Sequence, residues 1–265
     1  MVNSVLIIAG SDSSAGAGIQ ADLKTCAALG VYATTAITAV TAQNMHGVSA
    51  VHEVPAAIVA DQIDAVVGGI RPDAVKTGML ASAAIVDVVA AKMREHDLRH
   101  LVVDPVMVAT SGYRLLREDA LQAMRELLLP LAEVATPNIP EAEALTGLSL
   151  QSDADIRHAA RAIFAMGPRN VVIKGGHLGG EMSVDVLFDG REFREFSAQR
   201  VDAASTHGTG CTFASAISAF LAAGEAVPDA VSHAKEYVTG ALRLGRTIGS
   251  GWGCLNHFWR FETGD

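Results

Sequence analysis

The chain has 265 residues, half of them apolar, with few aromatics and a formal net charge of −9. That balance supplies a large core and argues against a nucleic-acid partner, because phosphate backbones require basic patches. Cys26, Cys211 and Cys254 have no CxxC spacing, which argues against structural zinc and for a reducing compartment. The start, MVNSVLIIAG, lacks a basic n-region and a long apolar h-region. No run approaches the ~20 apolar residues that span a bilayer. A soluble cytoplasmic protein without a membrane partner is expected.

Short apolar strands alternate with helical stretches along the chain. Val5–Ala9 reads as a strand and Ile19–Leu29 as a helix closed by Gly30. Thr35–Thr41 is a second strand, Ala57–Val67 a helix, Ala74–Thr77 a strand and Ala83–Arg94 a helix. Leu101–Val103 reads as a buried strand and Glu118–Leu128 as a helix. Glu133–Thr136 leads into a helix that opens near Pro140 and ends at Gly147. Ile156–Met166 is helical and Val171–Lys174 a strand. Val184–Phe188 and Arg191–Phe196 flank Asp189-Gly190, which predicts an antiparallel hairpin with a type I′ turn at a sheet edge. Phe213, Ile217, Phe220 and Leu221 recur at helical spacing, with Gly224 as a stop.

This alternation predicts a three-layer αβα fold with a mostly parallel central sheet and an antiparallel edge hairpin. No linker, repeat or low-complexity tract interrupts it, so a single domain over residues 1–265 is expected. In such sheets ligands bind beyond the carboxyl ends of the strands. The residues there are Ser11-Asp12, Gln43-Asn44, Gly78-Met79, Asp104, Asn138 and Lys174-Gly175-Gly176.

The first loop carries G-x-G-x-x-A at Gly16, Gly18 and Ala21. The first glycine does not follow its strand at once, and no carboxylate occurs at the required distance until Glu53, which disfavours a dinucleotide fingerprint. No P-loop occurs. Asp22 reads either as a solvated carboxylate near a positive helix end or as a grip on a polar substrate. Gln43 offers a donor and an acceptor on one amide, suited to a heterocycle edge, or simply fills a loop. Met79 is core or a packing face for a flat ring.

Asp104 precedes Pro105, which favours a strand-end carboxylate. Glu141 compensates a helix dipole or, with Asn138 and Asp104, arranges Mg²⁺, since hard oxygens suit that ion. Lys174 ends an apolar strand, where an unpaired lysine is rare unless it reaches a partner such as a phosphate.

His207-Gly208-Thr209-Gly210-Cys211-Thr212 heads an apolar helix. A glycine-bearing loop running into a helix N-terminus favours anions. Cys211 sits where a thiol ionises more easily, or is a small buried hydrophobe. Cys26 and Cys254 read as buried hydrophobes. His207 shows no partner and reads as structural; His46, His52, His96, His100 and His158 show no metal-ligand spacing.

Gly10 to Lys24, Thr41-Ala-Gln43-Asn44, Lys76-Thr-Gly-Met79-Leu, Val103-Asp104-Pro-Val106-Met, Thr136-Pro-Asn138-Ile-Pro-Glu141, Lys174-Gly-Gly-His and Thr206-His-Gly-Thr-Gly-Cys211-Thr run in order along the chain. Together, with a Gly251–Phe258 tail, they resemble the hydroxymethylpyrimidine/phosphomethylpyrimidine kinases of thiamine biosynthesis, within the ribokinase-like superfamily. The resemblance implies ATP-dependent phosphorylation of 4-amino-5-hydroxymethyl-2-methylpyrimidine and then of its monophosphate. It matches Gly10, Asp22 and Gln43 to the pyrimidine site and Met79 and Val106 to its apolar walls. It matches Asn138, Glu141 and Asp104 to the Mg-ATP region, with Asp104 and Glu141 toward the metal. Lys174 matches a phosphate contact, and Gly208, Thr209 and Gly210 the anion hole. Most ribokinase-like sugar kinases carry an aspartate base where Cys211 stands. A thiolate at Cys211, favoured by the helix end, is expected to accept the substrate proton. His177–Glu181 and Val106–Tyr113 are candidate lids. A homodimer is expected by analogy with such folds. The rivals are a pyridoxal kinase, a non-catalytic pyrimidine sensor and a nucleotide-dependent oxidoreductase.

Overall fold

Consecutive residues of a strand point to opposite faces, and the central strands of this chain are apolar on both. Leu6 and Ile8 join one core, while Val5, Ile7 and Ala9 join another across the sheet. Leu101 and Val103 likewise part from Val102. Such strands need a helical layer on each side. The computed structural model, which describes residues 2–44, 46–108, 112–113, 115–175, 180–202, 206–249 and 252–262, supplies both.

In chain order the first elements are β1 (Ser4–Asp12), α1 (Gly18–Ala28), β2 (Tyr32–Asn44), β3 (Gly47–Glu53), α2 (Ala56–Gly69) and β4 (Ala74–Thr77). Next come α3 (Ala83–Glu95), β5 (Leu101–Val103), α4 (Glu118–Ala123), β6 (Val134–Ala135), α5 (Ile139–Thr146) and α6 (Asp153–Phe164). The last are β7 (Val171–Ile173), β8 (Met182–Phe188), β9 (Phe193–Gln199), α7 (Thr209–Ala222), α8 (Val227–Arg243), β10 (Arg246–Ile248) and β11 (Trp252–Cys254).

The main sheet has nine strands in the order β3-β2-β1-β4-β5-β6-β7-β8-β9. The run from β2 to β7 is parallel, and β3, β8 and β9 are antiparallel additions at the two edges. Residues of α2 to α6 build the core on one face, and those of α1, α7 and α8 the core on the other. The parallel strands therefore all deliver their carboxyl ends to one side. No described helix is long and apolar enough to cross a membrane.

Two local expectations are corrected. The hairpin turn is a four-residue loop, because Phe188 pairs with Phe193 and the Asp189 carboxylate accepts the amides of Arg191 and Glu192, both at 2.9 Å. Only Gly190 takes a left-handed φ, +88°, so the two-residue type I′ turn is absent. The helix from Glu118 is α-helical only to Ala123 and continues as a π turn over Met124–Leu128. The sheet also gains β3, an edge strand over a stretch to which the sequence reading assigns no element.

Candidate active site

The carboxyl ends of the parallel strands open into a cavity of about 950 Å³. Gly10, Gln43, Met79, Val106, Asp104, Asn138, Glu141, Lys174, Gly208, Thr209, Gly210 and Cys211 all line it. Asp22 does not.

Asp22 is a correction. It lies one turn into α1 with its side chain fully buried, and Lys76 Nζ donates to both its oxygens at 2.9 and 3.0 Å. Ser215 Oγ of α7 adds a third hydrogen bond at 2.7 Å. A carboxylate so occupied has no face for a ligand. Lys76 stands between it and the cavity, whose wall includes Lys76. Burial works to lower the Lys76 pKa, but Asp22 foremost, together with Cys211 and Asp104, outweighs it and keeps the ammonium charged.

Helix α7 begins against this floor. Its N-cap, Gly208, has φ +83°, and a Cβ there would lie 1.9 Å from the Gly16 carbonyl oxygen. Only glycine allows the two loops to approach so closely. The amide of Thr209 turns back to Thr206 O at 3.2 Å, and Thr212 N donates to Gly208 O at 2.9 Å. The amides of Gly210 and Cys211 fall between them, in the first turn, with no earlier carbonyl of the helix to bond. A Cβ on Gly210 would sit 3.3 Å from Lys174 Nζ, so the first turn abuts the lysine.

Lys174 Nζ donates to Asp104 Oδ1 at 2.9 Å and lies 3.7 Å from Glu141 Oε2. All three groups are largely withdrawn from water. Burial works to lower the Lys174 pKa, but the two carboxylates outweigh it and hold the group above the ordinary lysine value. Burial pushes the Glu141 carboxyl up, with Lys174 opposing. Glu141 also closes a capping box: its Oε2 accepts the Asn138 amide at 2.7 Å, and Asn138 Oδ1 accepts the Glu141 amide at 2.9 Å. The dipole-compensating reading of Glu141 is thus realised in the first turn of α5. The donor set is hard oxygen, as Mg²⁺ requires.

Cys211 is partly exposed, but burial pushes its thiol up to about 12, and the lowering influence of Lys76 does not offset this. The easily ionised thiolate expected from the helix end is therefore absent from the resting chain.

Two groups escaped the sequence reading. His207 has a partner 195 residues away: its Nε2 lies 2.9 Å from Asp12 Oδ2. Asp12 also accepts the amides of Ser14 and Ala17 at 2.8 and 2.9 Å. Burial raises its pKa, but the hydrogen bonds from His207, Ser14 and Ala17 outweigh this and bring it to about 2. Lys76 was missed too, although a lysine in the apolar run of β4 carries the same signal that marked Lys174. Elsewhere, Asp64, Glu95 and His96 gather on the surface, but Lys92 Nζ at 2.7 and 2.9 Å from the two carboxylates satisfies them. Of the candidate lids, residues 177–179 and 109–111 lie outside the described residues, as do Gly176 and Gly251.

Comparison with known proteins fits this layout. Residues 12–256 match the family model for phosphomethylpyrimidine kinase. A hydroxymethylpyrimidine/phosphomethylpyrimidine kinase of Streptomyces coelicolor is 51% identical over 255 residues, which is 96% of this chain and 94% of that protein. A thiamine biosynthesis bifunctional protein of Geobacter sulfurreducens is 53% identical over 254 residues, 96% of this chain but 52% of the relative, so the chain spans about half its length. Among solved structures, the ADP complex of Bacillus subtilis pyridoxal kinase superposes with a TM-score of 0.91 at 38% identity, covering 99% of this chain and 100% of the other. A phosphomethylpyrimidine kinase from Clostridium difficile gives 0.80 at 42% identity, covering 90% of this chain and 98% of the other. The chain has the ribokinase-like fold and belongs to the phosphomethylpyrimidine kinase family.

Proposed function

We propose that the chain transfers the γ-phosphoryl group of ATP to the hydroxymethyl oxygen of 4-amino-5-hydroxymethyl-2-methylpyrimidine, and then to the monophosphate so formed. One observation carries the reading. The first turn of α7, the Lys174–Asp104 pair and the Gln43–Met79 wall face a single cavity. Phosphoryl transfer needs mainly alignment and charge stabilisation, and this arrangement offers both.

Gln43 reads the ring edge, and Gly10, Met79 and Val106 enclose the ring. Lys174 and the first-turn amides around Gly208, Thr209 and Gly210 hold the migrating phosphoryl group and the triphosphate. Asp104 and Glu141, with Asn138, would hold Mg²⁺, which supplies charge neutralisation of the phosphates when bound. Cys211 takes the hydroxyl proton in the minority ionised form that its raised pKa allows. Residues 1–265 act as one kinase unit, and a cytoplasmic homodimer is the assembly expected by fold analogy.

A second reading has its own support. Pyridoxal kinases superpose on the whole chain, and one of them, from Staphylococcus aureus, was solved with pyridoxal and an ATP analogue. Pyridoxal also presents a hydroxymethyl group on a flat nitrogen ring. The test is to mix the chain with Mg-ATP and, separately, the aminopyrimidine alcohol, its monophosphate and pyridoxal, following ADP. ADP with both pyrimidines and a much lower kcat/KM for pyridoxal is expected. Turnover of pyridoxal alone selects the second reading, and binding without ADP in any arm makes the chain a sensor.

A further inference from the structure

Gln43 sits at an irregularity in the β2–β3 ladder, where the register shifts between Ala42 and Gln43. Such bulges re-aim side chains. Ser13 pins the backbone there, donating to Gln43 O at 2.6 Å and accepting Gln43 N at 2.8 Å. The amide head has two neighbours. Its Oε1 position lies 3.1 Å from Thr41 Oγ1, and its Nε2 position 3.4 Å from His207 Nε2.

A hydrogen-bond inventory decides which way the head must face. An ionised Asp12 only accepts, so the proton on the 2.9 Å contact belongs to His207 Nε2. An NH₂ group facing that N–H would set donor against donor. Thr41 Oγ1 spends its one proton on Ser11 O at 2.9 Å, so toward Gln43 it can only accept. A carbonyl oxygen facing it would set acceptor against acceptor. Exchanging the amide oxygen and nitrogen removes both conflicts at once, and the two atoms have the same shape. Gln43 Nε2 then donates to Thr41, and Gln43 Oε1 takes the longer arm of a three-centre hydrogen bond from the one His207 Nε2–H, whose shorter arm goes to Asp12.

The amide has two donor and two acceptor places. One of each is now taken by the protein. What remains is one N–H and one carbonyl lone pair, side by side, on a residue that lines the cavity. Their complement is a ring nitrogen beside an exocyclic NH₂, an amidine edge. A ring whose nitrogen lacks an adjacent amino group satisfies only half of it.

We propose that Asp12 and His207 are positioning residues that lock the Gln43 amide in this orientation and thereby set selectivity for an amidine-edged pyrimidine. This rests on the aminopyrimidine kinase reading above. His207 acts through Gln43, so its effect disappears when Gln43 is gone.

The experiment is a double-mutant cycle with His207→Ala, Gln43→Ala and the pair, read as KM for the aminopyrimidine alcohol, with KM for ATP as control. His207→Ala raises the pyrimidine KM at least tenfold and leaves the ATP KM within about twofold. In the Gln43→Ala background the same change moves the pyrimidine KM less than about twofold. His207→Gln, which restores an N–H toward Asp12 and Gln43, recovers most of the loss and serves if the alanine variant folds poorly. The analogue without the amino group loses the dependence on His207 in the wild-type background. Equal losses in both backgrounds, or no loss on His207→Ala, overturn the proposal while the kinase reading stands. If the unaltered chain phosphorylates neither pyrimidine, both fall together.

Discussion

Lys76 and Asp22 meet where water does not reach: Nζ lies 2.9 Å from Oδ2, and both side chains are fully buried. The pair joins β4 to α1, and Ser215 extends it to α7. A buried pair of this kind is costly to break, because the surviving charge has no compensation. Asp22→Asn is expected to destabilise the fold by about 3–5 kcal/mol, seen as a lower urea midpoint. The paired change Asp22→Leu with Lys76→Met should restore most of the stability. It should not restore turnover, since the Lys76 charge beneath Cys211 is gone. A pair variant as unstable as Asp22→Asn would show that shape, not charge, holds this junction.

Cys26 lies beside the same pair. Burial pushes its thiol from 9.0 to about 12. The folded pKa exceeds the unfolded one, so the folded state holds the proton more tightly. The contribution is fully present below pH 9 and is lost as pH rises toward 12, at about 1.4 kcal/mol per pH unit. Urea midpoints measured from pH 8 to 11 should fall, and Cys26→Ala should flatten the fall by roughly one proton's slope. An unchanged slope would place the alkaline loss on Cys211 or other groups.

The parallel half of the fold was legible because its strands are apolar on both faces. Ala74–Thr77 and Leu101–Val103 were read with the bounds the structure gives them. Strand β3 was not, because an edge strand is held by main-chain pairing with β2, and its sequence, GVSAVHE, has no buried face to betray it. Helix α8 did carry its signal, in Ala230, Val231, Ala234, Tyr237, Val238 and Ala241, and was simply left unassigned. At the site, residue types at strand ends located the cavity walls. Partnerships did not show, because Asp22 with Lys76 and Asp12 with His207 are long-range contacts that no local spacing encodes. The same is true of the Cys211 thiol, whose ionisation depends on burial as well as on its place in the helix.

Gly208 combines two demands that no other residue meets. Its φ is +83°, and a Cβ would lie 1.9 Å from Gly16 O. Gly208→Ala must therefore either strain the cap, at about 1–3 kcal/mol, or push the α7 first turn away from the β1–α1 loop. The second route misaims the amides of Gly210 and Cys211. The loss of one such donor typically costs about 10²–10³ in kcat, so a fall of that size is expected, with a smaller change in thermal midpoint. A variant that keeps near-normal kcat would remove these amides from the chemistry.

Cys211 offers the sharpest kinetic test. Its thiol is raised to about 12, so the ionised fraction at neutral pH is small and grows tenfold for each pH unit below that value. If the thiolate accepts the substrate proton, log kcat should climb with a slope near one from pH 7 to 9 and show no plateau in that range. Cys211→Ala should lower kcat at pH 8 by about 10²–10⁴, the usual contribution of a general base, and should abolish the climb. ATP affinity should stay within about threefold, because the amides proposed to hold the phosphates belong to the main chain and survive the substitution. A flat wild-type profile, or a Cys211→Ala variant that keeps the slope, would move the proton to another acceptor and leave Cys211 only its backbone N–H.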